Sequence, residues 1–429
     1  GFDFLLAVIH DGREEIMLEE FIAAPAVERM RASLFGAHLD ALCGLLHGQG
    51  YAQFTIREKL REVVRLAAWM GRKRLGIVEL NERRIAEFLG EEHRHGRCRR
   101  GDGTTLLGLL AQLRSVGAVP EPTPVRDDSP GAALLARYEE HLRRDRALAA
   151  SSITRFGRIA SQFVSERSDA VRARPSALHA DDIRAFVVET ARRLSPKSAQ
   201  MVAAAMRSFL RFLFLRGETA VDLALAIPMV RQQRYVSVPR HLPAEDVERL
   251  LASCDLASPT GRRDYALLLL LARLGLRAGE VMALRLGDVR WREAEIIVRG
   301  KGQVQDKLPL LPDVGTALAS YLHKDRPAGP SRQLFVCRKA PHRGFSHPSS
   351  VSTIVMRTLK RAGLTPPTRG AHLLRHSLAT AMLRRGASFA EIGQILRHQS
   401  ARTTEIYAKV DLAALRDVAR PWPCLGGAR

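Results

Sequence analysis

Acidic side chains are the shortfall of this sequence. Lys and Arg number 67 against 45 Asp and Glu, a formal net charge of +22. That imbalance favours a polyanionic partner, through phosphate neutralisation and counterion release. The plainer reading is a merely basic protein. The charge is spread through helical segments and not gathered in a tail, which points to a folded binding surface. Cysteine is scarce, odd in number and irregularly spaced: Cys43, Cys98, Cys254, Cys337 and Cys424. This argues against a disulfide framework and for reduced thiols in a cytoplasmic setting. Long apolar runs are missing. The leucine-rich stretch Tyr265–Leu274 falls far short of the ~20 residues of a membrane span, so no membrane partner is expected. No signal-peptide pattern follows Gly1, and without an initiating Met the natural start is expected upstream or removed.

What is present is enough apolar material, 46% of residues, for real cores in two or three domains. Residues 1–120 read as helical. Ile56–Met70 carries apolar residues at helical spacing with a basic opposite face. Glu79–Leu89 and Thr104–Val116 follow as further helices. The proline-rich, polar segment Gly117–Gly131 marks a linker. A second helical block occupies 131–230, with helices expected at Ala132–Arg146, Ser152–Arg167, Ala180–Leu194 and Pro196–Arg216. Ser195-Pro196 is a strong start signal for the last, a serine cap followed by proline in the first helical position. Its Lys197, Arg207, Arg211 and Arg216 offer a basic face. The two blocks share a spacing: Leu80, Ile85 and Phe88 repeat Leu178, Ile183 and Phe186, and Ile56 and Ile153 lie 24 and 25 residues upstream. This fits a duplicated module, and it also fits coincidence between amphipathic helices.

Residues 231–243 (RQQRYVSVPRHLP) are extended and basic, a second linker able to lie along a DNA backbone through Arg234 and Arg240. Helices then follow at Ala244–Cys254 and Arg262–Leu274. Strands are expected at Ile296–Arg299 and Gln303–Leu310, joined by the turn around Gly300-Lys301-Gly302, with a third at Leu334–Cys337. From Pro348 the pattern is helical through Tyr407 and on to Val418. The block at 244–429 is therefore an α+β domain with a small sheet, behind mainly α domains.

The last block also carries the chemistry. Attack on a phosphodiester puts extra charge on the non-bridging oxygens, and something positive must be waiting there. No convincing carboxylate cluster for Mg²⁺ stands out. Guanidinium is the metal-free answer, because its planar fork binds two oxygens and stays charged. Arg277 (in LGLRAGE) and Arg375 (in HLLRH) are the candidates. Tyrosine suits the nucleophile, since a phenol of pKa about 10 leaves more readily than a sugar hydroxyl and conserves bond energy for rejoining. Tyr407 is that candidate. Lys301 between two glycines is placed to protonate the departing 5′ oxygen. His372 is a candidate to assist proton transfer from the tyrosine, and His398 to bond a phosphate oxygen. His376 reads as structural, with a polar contact inside the helix pack. Taken singly, Arg277 is a surface arginine, Lys301 a turn lysine and Tyr407 a core tyrosine. His93, His95 and Cys98 lack a fourth ligand nearby and read as a basic loop, so no metal is expected.

The joint order and spacing of these boxes resemble the catalytic domain of the tyrosine recombinases, the phage-integrase family, over roughly residues 235–420. The resemblance rests on Arg277 in GLRAGE, Lys301 on the β-turn, HLLRH, LRHQS and Tyr407. The block at 131–230 resembles the family's helical core-binding domain by pattern. The resemblance implies site-specific recombination through a 3′-phosphotyrosyl link on double-stranded DNA, for integration, excision or transposition of a mobile element or resolution of a replicon dimer, without metal, nucleotide or other cofactor. It implies Glu280 as a support of the arginine site. It also implies a homotetramer on synapsed DNA, clamped between the core-binding and catalytic domains, with an accessory recombinase or DNA-bending protein as a further candidate partner. Residues 1–120, absent from the simplest members, are expected to contact arm DNA or another protomer. The helix Leu412–Val418 is expected to dock on a neighbouring subunit or to fold back in cis. One departure is Arg397, where many members have glycine; it is expected either to reach phosphate or to face solvent. The alternatives are a catalytically silent DNA-binding relative and a type IB-like topoisomerase.

Overall fold

The computed structural model describes residues 17–99, 101–122, 129–166, 175–229, 239–300, 305–398, 400 and 403–410. The chain divides into two compact units: Gly1–Pro122 together with Val238–Arg429, and Thr123–Ser237. Among the described residues no helix is long and apolar enough to cross a membrane.

Among its described residues the first block contains helices and 3₁₀ turns and no strand. It contains α1 (Ala24–Arg31), α2 (Leu39–Gly48), α3 (Gln53–Arg72), a 3₁₀ turn at Ile77–Glu79, α4 (Glu82–Arg94) and α5 (Asp102–Ser115). α3 buries Ile56, Leu60, Val63, Leu66 and Met70 along one stripe, the spacing its sequence predicts. Asn81 caps α4, accepting a hydrogen bond from the Arg84 N–H at 3.0 Å.

The second unit holds α6 (Pro130–Arg144), α7 (Ala150–Glu166), a 3₁₀ turn at Pro175–Ala177, α8 (Ala180–Arg192), α9 (Pro196–Leu215) and a 3₁₀ turn at Leu223–Ala226. Ser129-Pro130 and Ser195-Pro196 start α6 and α9 in the same way, with the serine hydroxyl accepting the N–H of the third residue on. Its core is aromatic, with Tyr138, Phe163, Phe186, Phe209 and Phe212 all buried.

The last block contains α10 (Ala244–Ala252), α11 (Pro259–Arg273), α12 (Ala278–Ala283), β1 (Val289–Arg290), β2 (Glu295–Arg299), β3 (Gln305–Pro309), α13 (Pro312–Lys324), α14 (Ser349–Arg361), α15 (His372–Arg384), α16 (Phe389–Ile395) and a 3₁₀ stretch at Glu405–Val410. α11 buries Ala266–Leu271 completely and packs on α13 and α15. The antiparallel sheet runs β1-β2-β3. Its third strand is Val289–Arg290, not the expected Leu334–Cys337. Polar side-chain bonds occupy the latter segment: the Arg326 guanidinium donates to the carbonyls of Ser331, Gln333 and Leu334. Only isolated bridges remain there, Arg285 with Gln333 and Val336 with Gly344. The expected helix Leu412–Val418 lies outside the described residues. Within this unit the turn after α2 meets the last block, where the His342 N–H donates to the Gln49 carbonyl at 3.0 Å.

Candidate active site

Arg277 is the residue before α12, in extended conformation, so its side chain leaves from a fixed helix start. Glu280, one turn on and only 6% exposed, holds it twice. The Glu280 carboxylate accepts the Arg277 backbone N–H at 2.9 Å and its guanidinium at 2.6 Å. The same carboxylate accepts Arg397 Nη2 at 2.8 Å, across 117 residues of chain. Burial pushes the Glu280 carboxyl up, but the Arg277 N–H, the Arg397 charge and the Arg277 guanidinium outweigh it and hold it below the usual range.

Arg397 does not face solvent. Its side chain is 7% exposed and is committed to Glu280, with Asp306 3.9 Å away. The backbone explains the turn inward. Arg397 has φ of 55°, a left-handed conformation that suits glycine. Here an arginine adopts it and delivers its guanidinium beneath Arg277.

Arg375 lies in the first turn of α15 and is 4% exposed. It donates to the main-chain carbonyls of Gly275 and Leu396. It thereby ties the strands of chain that carry Arg277 and His398 to its own helix. Burial first, then the charges of Arg277 and Arg397, pull it down to about 10, so it remains cationic at neutral pH. Gly275 must be glycine: φ is +59°, and a Cβ would lie 2.6 Å from Leu396 Cδ2.

Arg277, Glu280, His372, Arg397 and His398 line one open cleft of about 1350 Å³, with Arg299, Gly300 and Asp306 from the β2–β3 hairpin on its rim. Lys301 lies outside the described residues. The His398 ring shares a hydrogen bond with the Thr404 hydroxyl at 2.7 Å. Burial, then the charges of Arg375 and Arg277, pull His398 down to about 4.

Tyr407 sits behind the cleft, 1% exposed, in a small cluster with Ala379, Ile392 and Leu396. Burial pushes its phenol up to about 12, with the Arg375 charge pulling the other way. Its hydroxyl is 2.8 Å from Nδ1 of His376. His376 does make a polar contact inside the helix pack, as its sequence context suggests, but the partner is the tyrosine itself. The phenol thus rests on His376, and the His372 ring centre is 6.4 Å from that of His376. Burial, then the charges of His372 and Arg375, hold His376 down at about 4, neutral near pH 7. The signal was available: His376 and Arg375 are adjacent in HLLRH, and one helical turn after His372 carries His376 to the same side.

The expected basic face of α9 is divided. Arg207 is half-buried and donates to the carbonyls of Ile227 and Pro228 at 3.2 and 3.1 Å, so part of its guanidinium is engaged within its own fold. Lys197 instead joins Arg155, Arg158 and Arg193 around a groove of about 740 Å³ between α7, α8 and α9. Arg155, Arg158 and Arg193 were not singled out from sequence, because their basic face is shared between helices. Arg211 and Arg240 are exposed, and Arg234 lies outside the described residues. His95, part of the HRHGRC loop, has its ring against the Glu91 carbonyl.

Known proteins fit this arrangement. Residues 240–413 match the Phage integrase family, and residues 135–217 match the Phage integrase N-terminal SAM-like domain. The integrase/recombinase y4rA of Sinorhizobium fredii is 42% identical over 377 residues, covering 87% of this chain and 91% of its own length. Tyrosine recombinase XerD of Listeria innocua is 31% identical over 279 residues, 64% of this chain and 93% of its own. Among solved structures, the XerH site-specific recombinase bound to palindromic difH substrate in a post-cleavage complex aligns with a TM-score of 0.53 at 20% identity, covering 66% of this chain and 83% of that one. That likeness is one of fold. With the arginines, histidines and tyrosine gathered around one cleft, and with relatives matched over nine-tenths of their length, the chain belongs to the phage integrase family, the tyrosine recombinases.

Proposed function

We propose that Tyr407 is the nucleophile of this recombinase and that Arg277, Arg375 and His398 hold the scissile phosphate in the cleft. As a tyrosine recombinase the chain is a site-specific enzyme that cleaves and rejoins DNA. The observation that carries the residue assignment is the convergence of Arg277, His372 and His398 on one cleft with Tyr407 adjoining it. The Tyr407 oxygen attacks phosphorus and the bond to the 5′ oxygen breaks, leaving a 3′-phosphotyrosyl link. Once Tyr407 has moved into the cleft, its phenolic proton passes to His372, which lines that cleft. The charge that grows on the non-bridging oxygens meets the two guanidinium groups and a hydrogen bond from His398. Lys301 gives its proton to the leaving 5′ oxygen. In the second step a 5′-hydroxyl attacks the phosphotyrosine and the proton movements reverse, so no external energy source is needed.

A buried phenol held near pKa 12 is a poor nucleophile, so cleavage follows movement of Tyr407 from the His376 pocket into the cleft. Reciprocal exchange between two duplexes cuts four strands. With one Tyr407 per chain, the working assembly is a tetramer on synapsed DNA. An accessory recombinase or bending protein fits that assembly. The free thiols of Cys43, Cys98, Cys254 and Cys337 suit the reducing cytoplasm.

The test is a suicide-substrate trap. The protein is mixed with nicked DNA from the ends of its own element, quenched in detergent and run beside Tyr407→Phe and EDTA lanes. A covalent band that needs Tyr407 and survives EDTA is expected. A band with Tyr407→Phe would overturn the nucleophile. Specific binding without any band would favour a silent DNA-binding relative.

A further inference from the structure

The helices ahead of the core-binding domain repeat its architecture. α2, α3, the 3₁₀ turn, α4 and α5 follow one another as α6, α7, the 3₁₀ turn, α8 and α9 do. The correspondence reaches single residues. Every residue that α7 buries (Ile153, Gly157, Ala160, Phe163, Val164) has a buried counterpart 97 positions earlier in α3 (Ile56, Leu60, Val63, Leu66, Ala67). The two 3₁₀ turns and the two 13-residue helices α4 and α8 are offset by 98 positions. Within them Leu80, Ile85 and Phe88 are buried like Leu178, Ile183 and Phe186. Amphipathic helices in general share a period. They do not in general share element order and a run of buried positions held at one offset.

The two copies differ on one face. In the second copy the groove between α7, α8 and α9 presents Arg155, Arg158 and Lys197, which form no ion pair among the described residues. In the first copy the position of Arg155 is Glu58, and that of Arg158 is Arg61. Glu58 pairs with Arg61 and Arg99. Deeper in the same face Glu62 pairs with Arg65, Arg65 with Glu92 at 2.8 Å, and the Trp69 indole donates to Glu91 at 2.7 Å. Cations already neutralised by carboxylates release no counterions to a phosphate backbone.

The first copy has a different partner. At its α2–α3 turn the Gln49 carbonyl accepts the His342 N–H, and the His342 ring lies against Gly50 so closely that a Cβ there would be 2.0 Å from it. Gly50 has φ of +79°. The ring is itself held by the Cys337 carbonyl at 3.1 Å.

We propose that residues 39–115, the first copy, are a duplicate of the core-binding module whose DNA face has been closed by Arg–Glu pairing, and which docks on the catalytic domain through the Gly48–Tyr51 turn and the Cys337–Gly344 loop. This rests on the reading of the second copy as a DNA-facing module. It replaces arm-DNA contact as the role of the first block.

The experiment uses the full chain and a random-sequence 30-base-pair duplex, with affinity followed by anisotropy between 50 and 200 mM salt. Arg158→Ala lowers the log–log salt slope by about 0.9, one phosphate contact. Arg61→Ala, at the matching position, leaves the slope unchanged. An equal fall in both variants overturns the closed DNA face. No change in either overturns the DNA-facing reading of the second copy, and with it the contrast. In parallel, Gly50→Val is expected to speed deuterium exchange at the His342 amide at least tenfold while the core amides of α3 and α4 keep their protection. Unchanged exchange at His342 in a module that stays folded overturns the docking.

Discussion

Glu280→Gln separates the charge of the carboxylate from its shape. In the structure Oε1 accepts only the Arg277 guanidinium, whereas Oε2 accepts both the Arg277 N–H and Arg397 Nη2. A glutamine can keep one oxygen. Placing it at Oε2 preserves two bonds, so the amide NH₂ turns toward Arg277 and meets donor with donor. The Arg277 guanidinium is released and Arg397, 7% exposed, loses its countercharge. Breaking a buried pair costs about 3–5 kcal/mol. The Arg277 side chain is 37% exposed, so solvent screening reduces its share, and Asp306 at 3.9 Å offsets part of the rest. A loss of about 3 kcal/mol of unfolding free energy is expected, read by guanidinium titration. A freed arginine also regains up to about 2 kcal/mol of rotamer entropy that must be lost again at the transition state. That corresponds to roughly 30-fold slower formation of the covalent complex on a suicide substrate. If Glu280→Gln stays within about 1 kcal/mol and threefold of the parent protein, Glu280 does not hold the two arginines.

Three further outcomes follow from the site. His376→Phe strands the Tyr407 hydroxyl and costs about 1–3 kcal/mol in urea unfolding; the cost should largely vanish in a Tyr407→Phe background, and an undiminished cost there would mean the 2.8 Å contact contributes nothing. His376 and His398 are both held near 4, below their unfolded value of 6.5. The unfolded chain therefore binds more protons between those values, and stability, complete above pH 6.5, falls as pH drops toward 4 with a slope approaching two protons; a flat unfolding profile from pH 7 to 5 would refute the burial of both rings. Lys301→Ala should slow cleavage of ordinary DNA yet leave a substrate with a 5′-phosphorothiolate leaving group nearly normal, since that group needs no proton; equal impairment on both would remove the lysine as proton donor.

The helices were legible because their buried stripes and Ser-Pro starts are local. Arg277, His372 and His398 were legible as a set, because chemistry restricts which residue types can surround a phosphate. What escaped was decided by distant chain. Nothing near Arg397 announces that a positive φ turns it toward a carboxylate 117 residues earlier. The apolar run Leu334–Val336 looks like a strand, but Arg326 takes the Leu334 carbonyl and Arg263 the Val336 carbonyl. Arg207 looks like its neighbours on a basic face until the loop after α9 comes back to meet it. The proposed repeat between the two helical blocks showed in sequence only as a spacing. Burial, assigned position by position, is what supports proposing it.

Arg375 joins Gly275 and Leu396, two main-chain points separated by 121 residues, through one side chain. A residue with both a chemical and an architectural duty is hard to discard. A lineage that abandoned strand cleavage but kept binding DNA could exchange Tyr407 for phenylalanine and keep the ring in its cluster, whereas loss of Arg375 would leave two buried carbonyls without donors. Persistence of Arg375 in a relative is therefore weak testimony to activity, and the presence of Tyr407 is the better witness.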